Sequence, residues 1–144
     1  MYNIRTINQL YFSILGYKME NKTKLYDLAV QARNNAYAPY SGFKVGAALC
    51  SADGSFFCGC NAENVSYPCG TCAEAGAISA MVAAGKYNIA EILIVADTEQ
   101  ILPCGNCLQK IAEFGNNNTI IYSADIKGHV KSFTLKDLLP HKFS

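Results

Sequence analysis

Two short segments, Cys72-Ala73-Glu74 and Pro103-Cys104-Gly105-Asn106-Cys107, constrain this chain more than any other feature. Three soft ligands and one carboxylate in that two-part pattern demand a fold that carries distant residues to one point. Three protein ligands leave one corner of a zinc tetrahedron open, where a water binds and is acidified, whereas a structural site closes that corner with a fourth Cys or His. The glutamate two residues after the first ligand is then the natural proton carrier. The pattern therefore reads as a catalytic zinc site held by Cys72, Cys104 and Cys107, with Glu74 as its acid and base.

Each half alone is weak, because C-x-x-C is also a redox pair or half a zinc knuckle. The competing reading, a structural zinc or thiol-redox module, needs a fourth ligand. The two histidines, His129 and His141, lie in the C-terminal stretch outside any ligand spacing and are expected at the surface. That module also leaves Glu74 unexplained on a nearly all-apolar helix, where a carboxylate without a partner is costly. Burial raises a carboxyl pKa, which suits a group that must take up and release protons.

The flanking sequence supplies a layout. After Asn21, a candidate cap, Leu25, Leu28, Ala29 and Ala32 repeat at helical spacing, and this first helix is expected to end before Ala38-Pro39. Residues 44–50 and 55–60 are strand-like runs joined by Ser51-Ala52-Asp53-Gly54, whose Asp-Gly signals a hairpin. Residues 72–84 form an Ala-rich helix, expected to be buried, that Gly85 caps. Residues 92–96 are strand-like, Pro103 suits the first turn of a helix through residue 114, and 119–123 form another strand. This order predicts an α/β sandwich of three layers, α/β/α, around a mixed sheet whose later strands run parallel. Both halves of the cysteine pattern then sit at helix starts, where free N–H groups and dipole ends converge on thiolates.

Composition agrees with one compact domain. At 144 residues, 51% hydrophobic and 16% charged, the chain has enough apolar residues for a single core, and no stretch reaches the roughly 20 apolar residues of a membrane helix. A formal charge of +1 gives no basic footprint for nucleic acid, so a free small molecule is the expected substrate. Of the seven cysteines, Cys50, Cys58 and Cys60 are read as reduced, small, buried hydrophobes, and Cys69 lies where it could reach the site. Residues 1–21 read as an appendage, disordered or preceding the native start, to a domain spanning 22–144. Their Leu10-Tyr11-Phe12-Ser13-Ile14-Leu15 run is too short and too interrupted for a signal sequence, and Met19 is a second candidate start.

Beyond the cysteine pattern, three segments carry a family resemblance. They are Tyr37-Ala38-Pro39-Tyr40-Ser41-Gly42-Phe43-Lys44-Val45-Gly46-Ala47-Ala48, then Asn61-Ala62-Glu63-Asn64, and last Leu138-Leu139-Pro140 with Phe143. The chain resembles the homo-oligomeric, tetrameric-type, zinc-dependent cytidine deaminases from about residue 25 to 143. The resemblance implies hydrolytic deamination of cytidine, and of deoxycytidine, to uridine and ammonia in pyrimidine salvage, by a cytoplasmic homotetramer with shared active sites. It implies that Asn61 and Glu63 bond the ribose hydroxyls, that Phe43 packs on the pyrimidine, and that the backbone of Ala73 meets the base carbonyl. Tyr67 and Phe143 are implied to reach the pocket of a neighbouring subunit. One departure stands out: the family's arginines after Cys-Ala-Glu and after the last cysteine are Ala75 and Leu108 here. That departure keeps open another aminopyrimidine nucleoside, or a nucleoside-like antibiotic, as substrate.

Overall fold

The computed structural model describes the backbone of residues 4–143 and the side chains of residues 13–143. The side chains of Leu10, Tyr11 and Phe12 lie outside the described residues. The elements run α1 (Ile4–Asn34), β1 (Val45–Ser51), β2 (Phe56–Cys60), a single 3-10 turn (Tyr67–Cys69), α2 (Ala73–Ala83), β3 (Ile89–Ala96), α3 (Gly105–Phe114), β4 (Ile120–Asp125), β5 (Val130–Thr134) and α4 (Leu135–Leu138). The five strands form one sheet in the order β2-β1-β3-β4-β5, antiparallel except for the parallel pair β3 and β4.

Alternation along the central strands builds the three layers, because successive side chains of a strand point to opposite faces. Ala47, Leu49, Ile92, Ile94 and Ile121 face α2, α3 and α4, where they pack with Ala77, Met81, Ile111 and Leu135. Ala48, Cys50, Leu93, Val95, Tyr122 and Ala124 face α1, where they meet Leu25 and Ala29. A strand covered on both faces must be apolar at every position, which is why Ile92-Leu93-Ile94-Val95-Ala96 shows no alternation.

Several expectations need correction. The break at Asn21 is absent: α1 runs through it as one 31-residue helix, so Asn21 is an interior residue and not a cap. Pro103 precedes the N-cap Cys104 instead of occupying the first turn of α3, and its ring is buried there. The helix α2 is buried on one face only, through Ala73, Glu74, Ala77, Ile78 and Met81, while Ala80, Val82 and Ala83 are exposed. Of the three cysteines expected in the core, Cys50 is buried, but Cys58 is exposed and Cys60 half-buried, because β2 is an edge strand. Gly85, with φ 73°, does end α2 in the left-handed conformation glycine favours.

The helix that carries Glu74 lies unusually close to β2. A Cβ at Gly59 would fall 2.4 Å from the amide nitrogen of Ala77 and 2.6 Å from the carbonyl oxygen of Ala73, both backbone atoms that cannot swing aside. Glycine at this position lets the first turn of α2 rest directly on the strand. Gly59→Ala is expected to destabilise the protein by about 1–3 kcal/mol through overpacking, measured by urea unfolding. Gly85→Ala, where a Cβ meets nothing within 4 Å, should cost only the left-handed strain of about 1–2 kcal/mol.

At the opposite side of the sheet Glu91 is the polar exception. Tyr122 donates its hydroxyl to Oε1 at 3.4 Å, and Oε2 is buried without a partner. Burial pushes the Glu91 carboxyl above its usual range, against the Tyr122 bond and the Lys18 charge. An acid whose folded pKa lies above its unfolded one stabilises the fold when protonated, and that contribution is lost as pH rises through the folded pKa. Glu91→Gln is therefore expected to raise the melting temperature at pH 7. The gain should shrink toward zero as pH falls to about 4, where the unfolded carboxyl also holds its proton.

Candidate active site

Cys72 and Cys104 occupy the same structural position on two helices. Each is an N-cap with extended backbone, φ −75° and ψ 154° for Cys72, φ −67° and ψ 167° for Cys104. Cys107 lies one turn into α3 and is buried. The three sulfurs lie within 4.8 Å of one another. The two helices reach this point because α2 returns from the β2 edge while α3 follows β3, the strand next but one in the sheet.

The electrostatics of this cluster follow from its crowding. The backbone N–H of Cys107, and after it that of Asn106, holds the Cys104 thiol below its usual range. Burial pushes the Cys72 thiol up. Burial, followed by the charges of Glu74 and Cys72, pushes the Cys107 thiol strongly up. Three thiolates this close repel one another unless a cation sits between them. Zinc is the ion this soft, three-donor set fits, and Cys72, Cys104 and Cys107 would hold it without a fourth protein ligand.

Glu74 stands in the first turn of α2 and is only 5% exposed. Burial raises its pKa above the ordinary carboxyl value, opposed by its own backbone N–H, by Cys107 and by the charge of Lys110. Ala73, fully buried, is the first residue of α2, so its backbone N–H has no intrahelical acceptor.

A cleft of about 460 Å³ opens on Cys72 and is walled by Asn61, Glu63 and Tyr67 together with Tyr40 and Ser41. Backbone pairing holds its two sides in register: Ala62 and Thr71 exchange two bonds of 2.9 Å, Tyr37 donates to the Asn61 carbonyl at 3.0 Å, and Glu63 donates back to the Tyr37 carbonyl at 2.8 Å. Asn61 uses both ends of its amide. Its Oδ1 accepts from the Val45 amide at 2.8 Å and its Nδ2 donates to the Phe43 carbonyl at 2.9 Å. The Glu63 carboxylate accepts from the amides of Tyr40 at 2.9 Å and Ser41 at 3.2 Å and from the Ser41 hydroxyl.

The remaining candidates are placed differently. Phe43 adjoins this loop with a ring 41% exposed. Tyr67 is 78% exposed and stands beside Tyr40, ring centres 6.3 Å apart. Phe143, 87% exposed, does not line the cleft of its own chain. Its backbone is anchored to α3 by the Gln109 side chain, which donates to the Phe143 carbonyl at 2.9 Å and accepts from its amide at 3.1 Å. Cys69 contacts Ser66 and does not join the thiol cluster. His129 pairs with Asp125 at 2.7 Å, and His141 is exposed, so neither supplies a fourth ligand. Sequence reasoning does not assign the roles that Gln109, Lys110 and Ser41 play around the site; only the local Ser-Gly-Phe turn signal points to any of them.

The chain is similar to known proteins over most of its length. Residues 19–123 match the family model described as the cytidine and deoxycytidylate deaminase zinc-binding region. A cytidine deaminase of Sporosarcina psychrophila is 43% identical over 122 residues, covering 84% of this chain and 90% of its own. The crystal structure of cytidine deaminase from Burkholderia pseudomallei superposes with a TM-score of 0.80 at 43% identity, over 84% of this chain and 98% of that one. That of Mycobacterium leprae superposes with a TM-score of 0.73 at 39% identity, over 84% and 98%. With three thiols gathered where two helices begin, a buried glutamate against Cys107, and these likenesses over most of its length, the chain belongs to the zinc-binding cytidine and deoxycytidylate deaminase family.

Proposed function

We propose that this protein hydrolyses cytidine, and deoxycytidine, to uridine and ammonia, and that residues 22–144 carry the activity with 1–21 appended. One observation carries the reading: a buried carboxyl, Glu74, beside three sulfurs within 4.8 Å, one of which opens on a cleft of nucleoside size. Cys72, Cys104 and Cys107 would hold zinc, which supplies the Lewis acidity that lets water release a proton near neutral pH. Glu74 takes that proton and hands it to the ring nitrogen as the water oxygen adds to the neighbouring amine-bearing carbon; it then moves the proton of the added hydroxyl to the amine, whose C–N bond breaks to release ammonia and leave a carbonyl. Its raised pKa suits both directions of transfer. The N–H of Ala73, first in its helix, would donate to the base carbonyl, Asn61 and Glu63 would bond the sugar hydroxyls, and Phe43 would pack on the pyrimidine.

Ammonia release from a panel of aminopyrimidine nucleosides, measured beside zinc content, tests the assignment and separates cytidine from an antibiotic-like substrate. Glu74→Gln should retain about one zinc per chain while turnover falls by roughly 10²–10⁴-fold, the scale of a lost general acid and base. Normal turnover in Glu74→Gln would overturn the mechanism.

The assembly belongs to the same proposal. The exposed face of α2, with Val82, and the exposed Val65 (78%), Tyr67 (78%) and Phe143 (87%) offer apolar surface for a partner subunit to cover. A homotetramer would bury that face and deliver Phe143 to a neighbouring cleft, while Tyr67 lines the cleft of its own chain at the seam. Seven free cysteines, three of them in a cluster that oxidation would destroy, support a cytoplasmic location, where thiols stay reduced. Deleting residues 141–144 should raise KM for cytidine while moving the melting temperature little, and light scattering should give a mass near four times 15.6 kDa. Unchanged KM after the deletion, or a fully active monomer, refutes the shared pocket.

A further inference from the structure

Ser41 is the hub of the hydrogen bonds that join the two walls of the cleft. Its hydroxyl accepts from the Phe43 amide at 3.0 Å, so its single proton is directed at Glu63 Oε1. Its own amide donates to Glu63 Oε2 at 3.2 Å, alongside the Tyr40 amide at 2.9 Å. Gly42, with φ 68°, makes the turn that allows this, and its amide donates to the Ala38 carbonyl at 2.9 Å. Glu63 thus has one donor on one oxygen and two on the other, all from the segment between α1 and β1, and no side-chain cation pairs with it among the described residues.

We infer that Ser41 is a positioning residue for nucleoside recognition: it fixes the Glu63 carboxylate in one orientation, with its unused lone pairs directed at the sugar. Three donors confine the carboxylate plane, so a sugar hydroxyl meets an acceptor already in place and no side-chain freedom is lost on binding. The hydroxyl of Ser41 is the one donor of the three that a side-chain change can remove without breaking the backbone. Ser41 acts on the substrate only through Glu63. The bond from the Phe43 amide fixes the hydroxyl's rotamer, which is what aims its proton at Glu63. The inference rests on the proposed sugar contact of Glu63.

The test uses full-length, zinc-loaded protein, KM and kcat for cytidine, and inhibition constants for uridine and 2′,3′-dideoxyuridine. Ser41→Ala should raise KM for cytidine and the uridine constant by about tenfold, the scale of one lost charge-assisted hydrogen bond, with kcat within about twofold. The dideoxyuridine constant should stay within about twofold, since that ligand offers no hydroxyl at the two ring positions Glu63 would recognise. Ser41→Thr, which keeps the hydroxyl, should restore the uridine constant, and Ser41→Ala added to Glu63→Gln should change nothing further because the two act as one unit. A Ser41→Ala protein that binds uridine normally, or that weakens both inhibitors equally, overturns the inference. If Glu63→Gln itself binds uridine normally, the sugar assignment of Glu63 fails. An impaired Glu63→Gln beside a normal Ser41→Ala refutes only the role of Ser41.

Discussion

Three sulfurs within 4.8 Å of each other and a carboxyl buried among them form an arrangement that resists assembly, and much of the surrounding structure exists to permit it. Burial disfavours charge on Cys72, Glu74 and Cys107, raising all three pKa values, and at Cys72 and Cys107 the neighbouring charges of the cluster add to it. What offsets this is partly the fold's own polarity. Two helix N-termini point at the cluster, and the N–H groups of the first turn of α3 pull Cys104 the other way. A divalent cation supplies the rest. The arginines that the family resemblance leads one to expect beside the thiols are Ala75 and Leu108 here, and Lys110 is the cation whose charge reaches Glu74.

Bringing two N-caps together requires tolerances that the layers enforce. The closest approach is between backbones: Gly59 lets α2 touch β2, and Gly46 lets α1 touch β1, where a Cβ would fall 2.0 Å from the Ala29 carbonyl oxygen. Small residues at these two crossings make the sandwich thin near the site. The Ala62–Thr71 pairing then ties the segment after β2 to the residue before Cys72, joining the cleft wall to the thiol cluster. The cleft and the buried carboxyl are thereby held at fixed spacing, the condition under which the proposed site could orient a nucleoside.

Elements with strong periodicity or sharp punctuation are legible in the amino-acid sequence. The Asp-Gly hairpin, the run 92–96 and the helices opening at Cys72 and Cys104 all appear where the residues place them. Elements at the margins are not. The strand β5 is an edge strand with mostly exposed or half-buried residues, so Val130-Lys131-Ser132-Phe133-Thr134 shows no clean apolar face. The short helix α4 does carry a signal, the reciprocal capping pair Thr134 and Asp137, but four residues give no periodicity to support it. Asn21 misleads for the opposite reason: a good cap residue is still tolerated inside a helix, and α1 continues through it.

The sequence by itself determined the chemistry, because ligand type, the glutamate two positions from Cys72 and the helix-start context are local properties that spacing records. Only the tertiary structure decided the geometry. The strand order that brings Cys72 to Cys104, the commitment of Asn61 and Glu63 to the loop carrying Phe43, and the exposure of one face of α2 depend on contacts between residues far apart in the chain. Local pattern states which groups must meet; packing alone sets where they meet and what else holds them there.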